Sequence, residues 1–146
     1  MTSIRALAPA DRDEWLPLWR GYLAFYESSL PDEVTDDVFG RLAAGDGLHG
    51  ALARDDDGRA VGLVHWLFHP ATWSIGPYCY LEDLFVAPDV RGGGVGRALI
   101  AHVRARAADA GAAKVYWLTQ ETNTVARTLY DRVATLSGFV HYQIGL

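Results

Sequence analysis

Cysteine, lysine and long apolar runs are what this 146-residue sequence has least of. Its one cysteine, Cys79, closes no intrachain disulfide and lies in an apolar stretch that reads as strand, where a buried thiol is inert; a reducing, cytoplasmic setting is expected. From Met1 to Pro9 no apolar run precedes the acidic cluster Asp11, Asp13 and Glu14, so neither a signal peptide nor a membrane span is expected. A basic surplus is missing too. Thirteen Lys and Arg face eighteen Asp and Glu, a net charge of −5, which argues against a protein that coats nucleic-acid phosphate. The deficit is uneven: residues 1–90 carry fifteen acids against six bases (−9), and residues 91–146 carry three against seven (+4). Two ligands of opposite sign and plain surface decoration both fit that asymmetry.

Half of the residues are apolar, enough for one core, and the whole of 1–146 reads as one domain. Trp15, Leu18, Trp19, Tyr22, Phe25 and Tyr26 recur at helical spacing over 13–26, with Pro17 expected in the first turn, where its missing N–H costs nothing. Asp32 to Ala44 is acidic and weakly helical, and Gly45, Gly47 and Gly50 end it. Strands are expected at Leu48–Arg54 and Ala60–Phe68, joined by the Asp55-Asp56-Asp57-Gly58 turn, and at Tyr78–Val86. A helix follows from Val95 to Gly111, then a short strand from Lys114 to Thr119. A helix through Val125, Leu129, Val133 and Leu136 and a last strand from Phe139 to Ile144 complete the order. That order makes a mixed sheet with helices on its faces.

The most specific segment is Arg91-Gly92-Gly93-Gly94-Val95-Gly96, set between a strand and a helix. Glycines there leave backbone N–H groups uncovered at a positive helix N-terminus, which suits phosphate or pyrophosphate. No Gly-Lys-Ser/Thr follows, which excludes a Walker A loop, and no acid at the end of a next strand is placed to hold a ribose, which excludes a Rossmann site. With Arg91, Gly94 and Gly96 in the pattern Arg/Gln-x-x-Gly-x-Gly/Ala, the segment resembles the cofactor turn of the GNAT superfamily of acetyl-CoA-dependent N-acetyltransferases. The likeness extends upstream through Tyr80-Leu81-Glu82-Asp83-Leu84-Phe85-Val86-Ala87-Pro88 and downstream through Glu121 to Tyr130. Within the superfamily these stretches are most similar to the histone and polyamine branch, with its spermidine/spermine relatives.

The resemblance implies an α+β GNAT fold, with a mixed, mostly antiparallel sheet of six to seven strands flanked by about four helices. It implies acetyl-CoA as cosubstrate, no metal, and direct transfer to a primary amine: a polyamine, a lysine side chain, or a small amino-bearing metabolite. The amides of Gly92, Gly93, Gly94, Val95, Gly96 and Arg97 would take the pyrophosphate, with Arg91 and Arg97 adding charge. Leu84, Phe85 and Val86 would lie along the pantetheine, which Leu84 and Val86 would pair through their main chain, and an N–H near Val86 would face the thioester oxygen. Asn123 and Ala126 would border the cofactor, although Asn123 serves equally well as a helix N-cap.

The remaining chemistry concerns protons. A primary amine with a pKa of ~10.4 is only about 0.04% neutral at pH 7, so a base or a desolvated site has to remove its proton. Glu82, in an apolar strand, matches the family position whose carboxylate acts on the amine through water; binding the cation without deprotonating it is a second role open to it. Asp83 points to the opposite face in a regular strand, and a bulge there would bring both carboxylates to the substrate side. Tyr130 matches the tyrosine that protonates the coenzyme A thiolate, a role a phenol of pKa ~10 suits. Trp66, Phe68, Trp73, Tyr78 and Tyr80 form an aromatic edge that could cover the amine by cation–π contact, and Trp19, Tyr22 and Tyr26 face either the core or the acceptor cleft; core packing explains such aromatics equally well. His65 and His69 lack a third metal ligand and read as structural or substrate-lining. A homodimer through Phe139–Ile144 is expected, with no nucleic-acid or membrane partner. The rival reading is a GNAT-fold protein that binds acyl-CoA without turnover, or one using another acyl group or acceptor.

Overall fold

The computed structural model describes residues 2–146. The chain runs β1 (Ser3–Ala6), α1 (Arg12–Phe25), α2 (Asp32–Ala44), β2 (His49–Arg54), β3 (Ala60–His69), β4 (Tyr78–Val86), α3 (Val95–Asp109), β5 (Lys114–Tyr116) and α4 (Thr124–Val133), with single 3₁₀ turns before α1 and α3. The sheet follows chain order, β1-β2-β3-β4-β5, antiparallel except for the parallel β4–β5 pair. It is the expected mixed α+β sheet with four helices, but it has five strands among the described residues, not six or seven.

The difference lies at the C-terminus. Phe139–Ile144 forms no strand, and its apolar side chains are open to solvent, Phe139 86%, Tyr142 89% and Ile144 89% exposed. Alternation of apolar residues supplies a face to bury, but a strand also needs a neighbour for its backbone, and within one chain this segment has none. α4 correspondingly stops at Val133, before Leu136, and β5 is three residues long. Pro17 is the sixth residue of α1, past its first turn, so the Asp13 carbonyl loses its helical donor there.

Two cores form, one on each face of the sheet. Leu52, Leu63 and Phe85 pack against Trp15, Leu18 and Trp19 of α1 and Phe39 and Leu42 of α2. Ala51, Ala53, Val64, Trp66, Cys79 and Leu81 pack against Val95, Leu99, Ile100 and Val103 of α3. Parity along β4 is broken in an informative way. Cys79 and Leu81 face α3, whereas Phe85, an even number of residues further on, faces α1 and α2. The register explains it: Asp83 pairs with His65 and Leu81 pairs with Trp66, so Glu82 is an extra residue on β4. Such a bulge exchanges the faces of every residue after it.

Candidate active site

The bulge at Glu82 turns Asp83 onto the α1 side, opposite the expectation for a regular strand, and both carboxylates line one cleft of about 420 Å³. Trp19, Leu30, Val38, Arg41, Leu42, Leu48, His65, Trp66 and Leu67 complete its walls. Glu82 stands at the open side, yet its carboxyl titrates above its ordinary value because neighbouring groups displace its water and Asp83 adds a like charge; Arg41 opposes the shift. Asp83 is held instead. His65 Nδ1 lies 2.9 Å from Asp83 Oδ2, and Trp15 Nε1 donates to His65 Nε2 at 3.0 Å. An indole nitrogen is a donor only, so Nε2 accepts and the ring proton sits on Nδ1, directed at Asp83. The Tyr22 phenol also donates toward Asp83, and burial followed by that carboxylate raises its pKa far beyond the usual range. This chain of Trp15, His65, Asp83 and Tyr22 fixes one carboxylate while Glu82 remains free.

A second opening adjoins the first along β4. The parallel pairing with β5 covers only Tyr78–Tyr80, so from Leu81 to Val86 the β5-side edge of β4 has no strand partner among the described residues. Ala87 N–H donates to Val61 O at 2.8 Å, pointing toward β3. By the alternation of an antiparallel ladder Phe85 also points to β3, and Leu84 and Val86 direct their N–H and C=O groups to the free edge. At the end of this edge lies the glycine turn. Gly92 and Gly94 have φ of +85°, a conformation that side chains resist, and no side chain caps the N-terminus of α3. At Gly96 a Cβ would make ordinary contacts with Leu129 at 3.4 Å and Val86 at 3.8 Å, so packing there does not require a glycine. Free donors on an open strand edge followed by uncapped helical donors fit the amides and pyrophosphate of coenzyme A.

Several residues assigned from sequence are differently employed. The Phe85 side chain is buried against α1, edge-on to Tyr22, and does not border the free edge. Val95 is core beneath Gly62, which leaves only its backbone to the turn. Arg91 donates from Nε to Val86 O at 3.1 Å, and its guanidinium lies 5.5 Å from the centre of the Phe85 ring, tying the turn to β4. Arg97 is exposed in the first turn of α3 and makes no ion pair among the described residues. Asn123 caps α4, accepting from Ala126 N–H at 3.4 Å, so that amide is already engaged. Trp73 is 87% exposed in the β3–β4 loop and does not line the cleft: the hairpin ends before it, and nothing turns it back.

Tyr130 and Tyr26 are brought together. Tyr130, on α4, lies edge-on to Trp117, and its pKa is pushed up to about 12 by burial and by the nearby Tyr26. Tyr26, which caps α1, is raised by partial burial and by Asp83, and it is not among the residues lining the carboxylate cleft. Cys79 is buried with its thiol pushed up to about 11, and no nucleophilic role follows. Among the described residues there is no group of three or more potential metal ligands. Arg41 is a cleft residue the sequence did not indicate, because it reads as a surface cation on an acidic helix; Trp19, an aromatic of the α1 stripe open to either core or cleft, also lines the cleft. The buried Trp19 indole N–H has no partner among the described residues.

An open strand edge beside an uncapped glycine turn and a carboxylate-lined cleft suits the class of coenzyme A-dependent acyltransferases. The model of the acetyltransferase (GNAT) family matches residues 14–134, and the chain belongs to that family. It is 37% identical over 142 residues to the D-amino-acid N-acetyltransferase HPA3 of Saccharomyces cerevisiae, covering 96% of this chain and 88% of that protein. It is 31% identical over 86 residues to the thialysine N-epsilon-acetyltransferase of Caenorhabditis elegans, covering 59% of this chain and 52% of the other. The fold is that of the aminoglycoside acetyltransferase AAC(6')-Iy, in complex with a bisubstrate analogue of coenzyme A (TM-score 0.86, 21% identity, 100% of this chain and 99% of that one). The protein is thus an acyltransferase, an N-acetyltransferase of the GNAT family.

Proposed function

We propose that the protein acetylates the primary amine of a small amino acid or related metabolite in a ternary complex with acetyl-CoA. Acetyl-CoA supplies an activated acetyl thioester; the residues of this chain position it and manage the protons. The observation that carries the reading is the bulge at Glu82, which sets two carboxylates in one cleft beside a strand edge to which the Leu84 and Val86 N–H groups point. Asp83, held by His65 and Tyr22, binds the ammonium group, and Glu82, whose pKa is raised toward that of a working base, takes its proton directly or through water. As the carbon–nitrogen bond forms and the carbon–sulfur bond breaks, Tyr130 donates its proton to the departing thiolate, and burial keeps that phenol protonated at neutral pH. Gly92–Arg97 hold the pyrophosphate. Small amino-acid acceptors are favoured over polyamines or protein lysines because two of the relatives are named for D-amino acids and for thialysine.

The same proposal includes a homodimer in a reducing, cytoplasmic setting: the exposed apolar residues of Phe139–Ile144 need a partner, and Cys79 has none to oxidise with. No helix is long and apolar enough to cross a membrane among the described residues. The test is thiol release from acetyl-CoA over a panel of amino acids, polyamines and lysine peptides. Glu82→Gln and Tyr130→Phe are each expected to lower kcat by about 10²–10⁴-fold with acetyl-CoA binding retained. Thiol release with none of the amines, or full activity in both variants, overturns the reading.

A further inference from the structure

The acceptor cleft carries charge of both signs. Glu82 and Asp83 stand on β4, and Arg41 stands on the α2 wall, near enough for its charge to act on Glu82. Arg41 is fixed by its own helix: Nε donates to Asp37 Oδ2 at 3.0 Å, one turn earlier, and Nη2 lies 2.9 Å from the same oxygen. Its Nη1 has no partner among the described residues, so one edge of the guanidinium is set and the other is available. Leu30, Val38, Leu42, Leu48 and Leu67 line the space between. A polyamine entering this cleft would bring its second ammonium toward a fixed guanidinium. A zwitterion meets opposite charge at both ends.

Resting on the amine-acetylating role above, we infer that Arg41 is a specificity-determining residue that receives the carboxylate of an α-amino-acid acceptor. The ammonium is then directed to Asp83 and Glu82, and an apolar side chain lies on the leucine and valine wall. A guanidinium matches a carboxylate in charge and in donor geometry, and discrimination follows from what each acceptor leaves unpaired: an amine without a carboxylate leaves the Arg41 edge empty, and a polycation is repelled by it.

The test compares both enantiomers of leucine with 3-methylbutylamine, the same side chain and amine without the carboxylate, and with spermidine. In the wild type, leucine of at least one hand is expected to have the higher kcat/KM. Arg41→Gln is expected to raise KM for leucine by about tenfold to a hundredfold. It should leave kcat for leucine and both constants for 3-methylbutylamine little changed, with partial recovery in Arg41→Lys. Asp37→Asn, which breaks the same surface ion pair without removing the guanidinium, is expected to keep the preference for leucine. Turnover of amines with no advantage for the carboxylate, or equal losses on both substrates in Arg41→Gln, overturns the assignment of Arg41 while leaving the acetyltransferase reading intact. Thiol release with no amine at all defeats that reading itself.

Discussion

Glu82 and Asp83 are adjacent in sequence and are used differently because their surroundings differ. Asp83 has two donors, His65 Nδ1 and the Tyr22 phenol, which hold it in place. Glu82 has mainly costs, lost water and a like charge, and its pKa is raised. A carboxyl with a higher pKa folded than unfolded binds more protons in the native state, so its cost to stability grows as pH rises through that interval. Glu82→Gln is therefore expected to raise Tm at pH 7, and the gain should vanish below the ordinary value of 4.5, where Glu82 is protonated in both states. Thermal melts of both proteins across pH check this, and a gain that persists at acid pH would contradict it. That Glu82 and Tyr130 are candidates for the amine-side acid and the proton donor was legible from their motifs. The roles of His65 and Arg41 were not, because their partners come from other elements: Trp15 is fifty residues before His65, and Glu82 is on a strand far from α2.

At the scale of elements, close approach and backbone conformation make separable demands. A Cβ at Gly62 would lie 3.1 Å from Leu99 and Val95 side-chain atoms and 3.2 Å from the Phe85 carbonyl, so Gly62→Ala wedges α3 from the sheet. It is expected to cost about 1–3 kcal/mol of stability, as overpacking does. A Cβ at Gly94 meets nothing within 4 Å, but φ is +85°; Gly94→Ala is expected to cost about 1–2 kcal/mol. Coenzyme A binding should separate the two. Calorimetric titration is expected to show weakened binding in Gly94→Ala, where the turn itself changes, and little change in folded Gly62→Ala; the reverse order would remove the glycine turn from the binding site. The helices, the hairpin and the glycine turn follow from local spacing, so their positions were legible to within a few residues. The bulge was not. Its sequence, Leu81-Glu82-Asp83-Leu84, is compatible with regular alternation, and only the pairing of β4 with β3 shows the extra residue.

For the whole molecule, the unpaired C-terminal segment is the outstanding feature. Leu136, Phe139, Val140, Tyr142, Ile144 and Leu146 are all exposed, a run of apolar side chains that a lone chain does not bury. β5 ends the sheet with its outer edge uncovered by any strand among the described residues. A dimer in which the segment finds a backbone partner on another copy answers both. Light scattering is expected to give twice the 16.0 kDa chain mass, and deletion of residues 137–146 to give a monomer. A wild-type monomer would leave the segment without that role.

By itself the sequence determined what depends on neighbours along the chain: helical stripes, the turn glycines, the family motifs from Tyr80 to Tyr130, and hence the acetyltransferase class. Tertiary structure alone decided what depends on pairing across the chain. The register of β4 against β3 put both carboxylates in one cleft, the early end of β5 freed the edge at Leu84 and Val86, and the packing of α2 brought Arg41 within reach of Glu82. Local preference acts over a few residues. Register, splay and the meeting of distant charges are set by how whole elements bury their faces together.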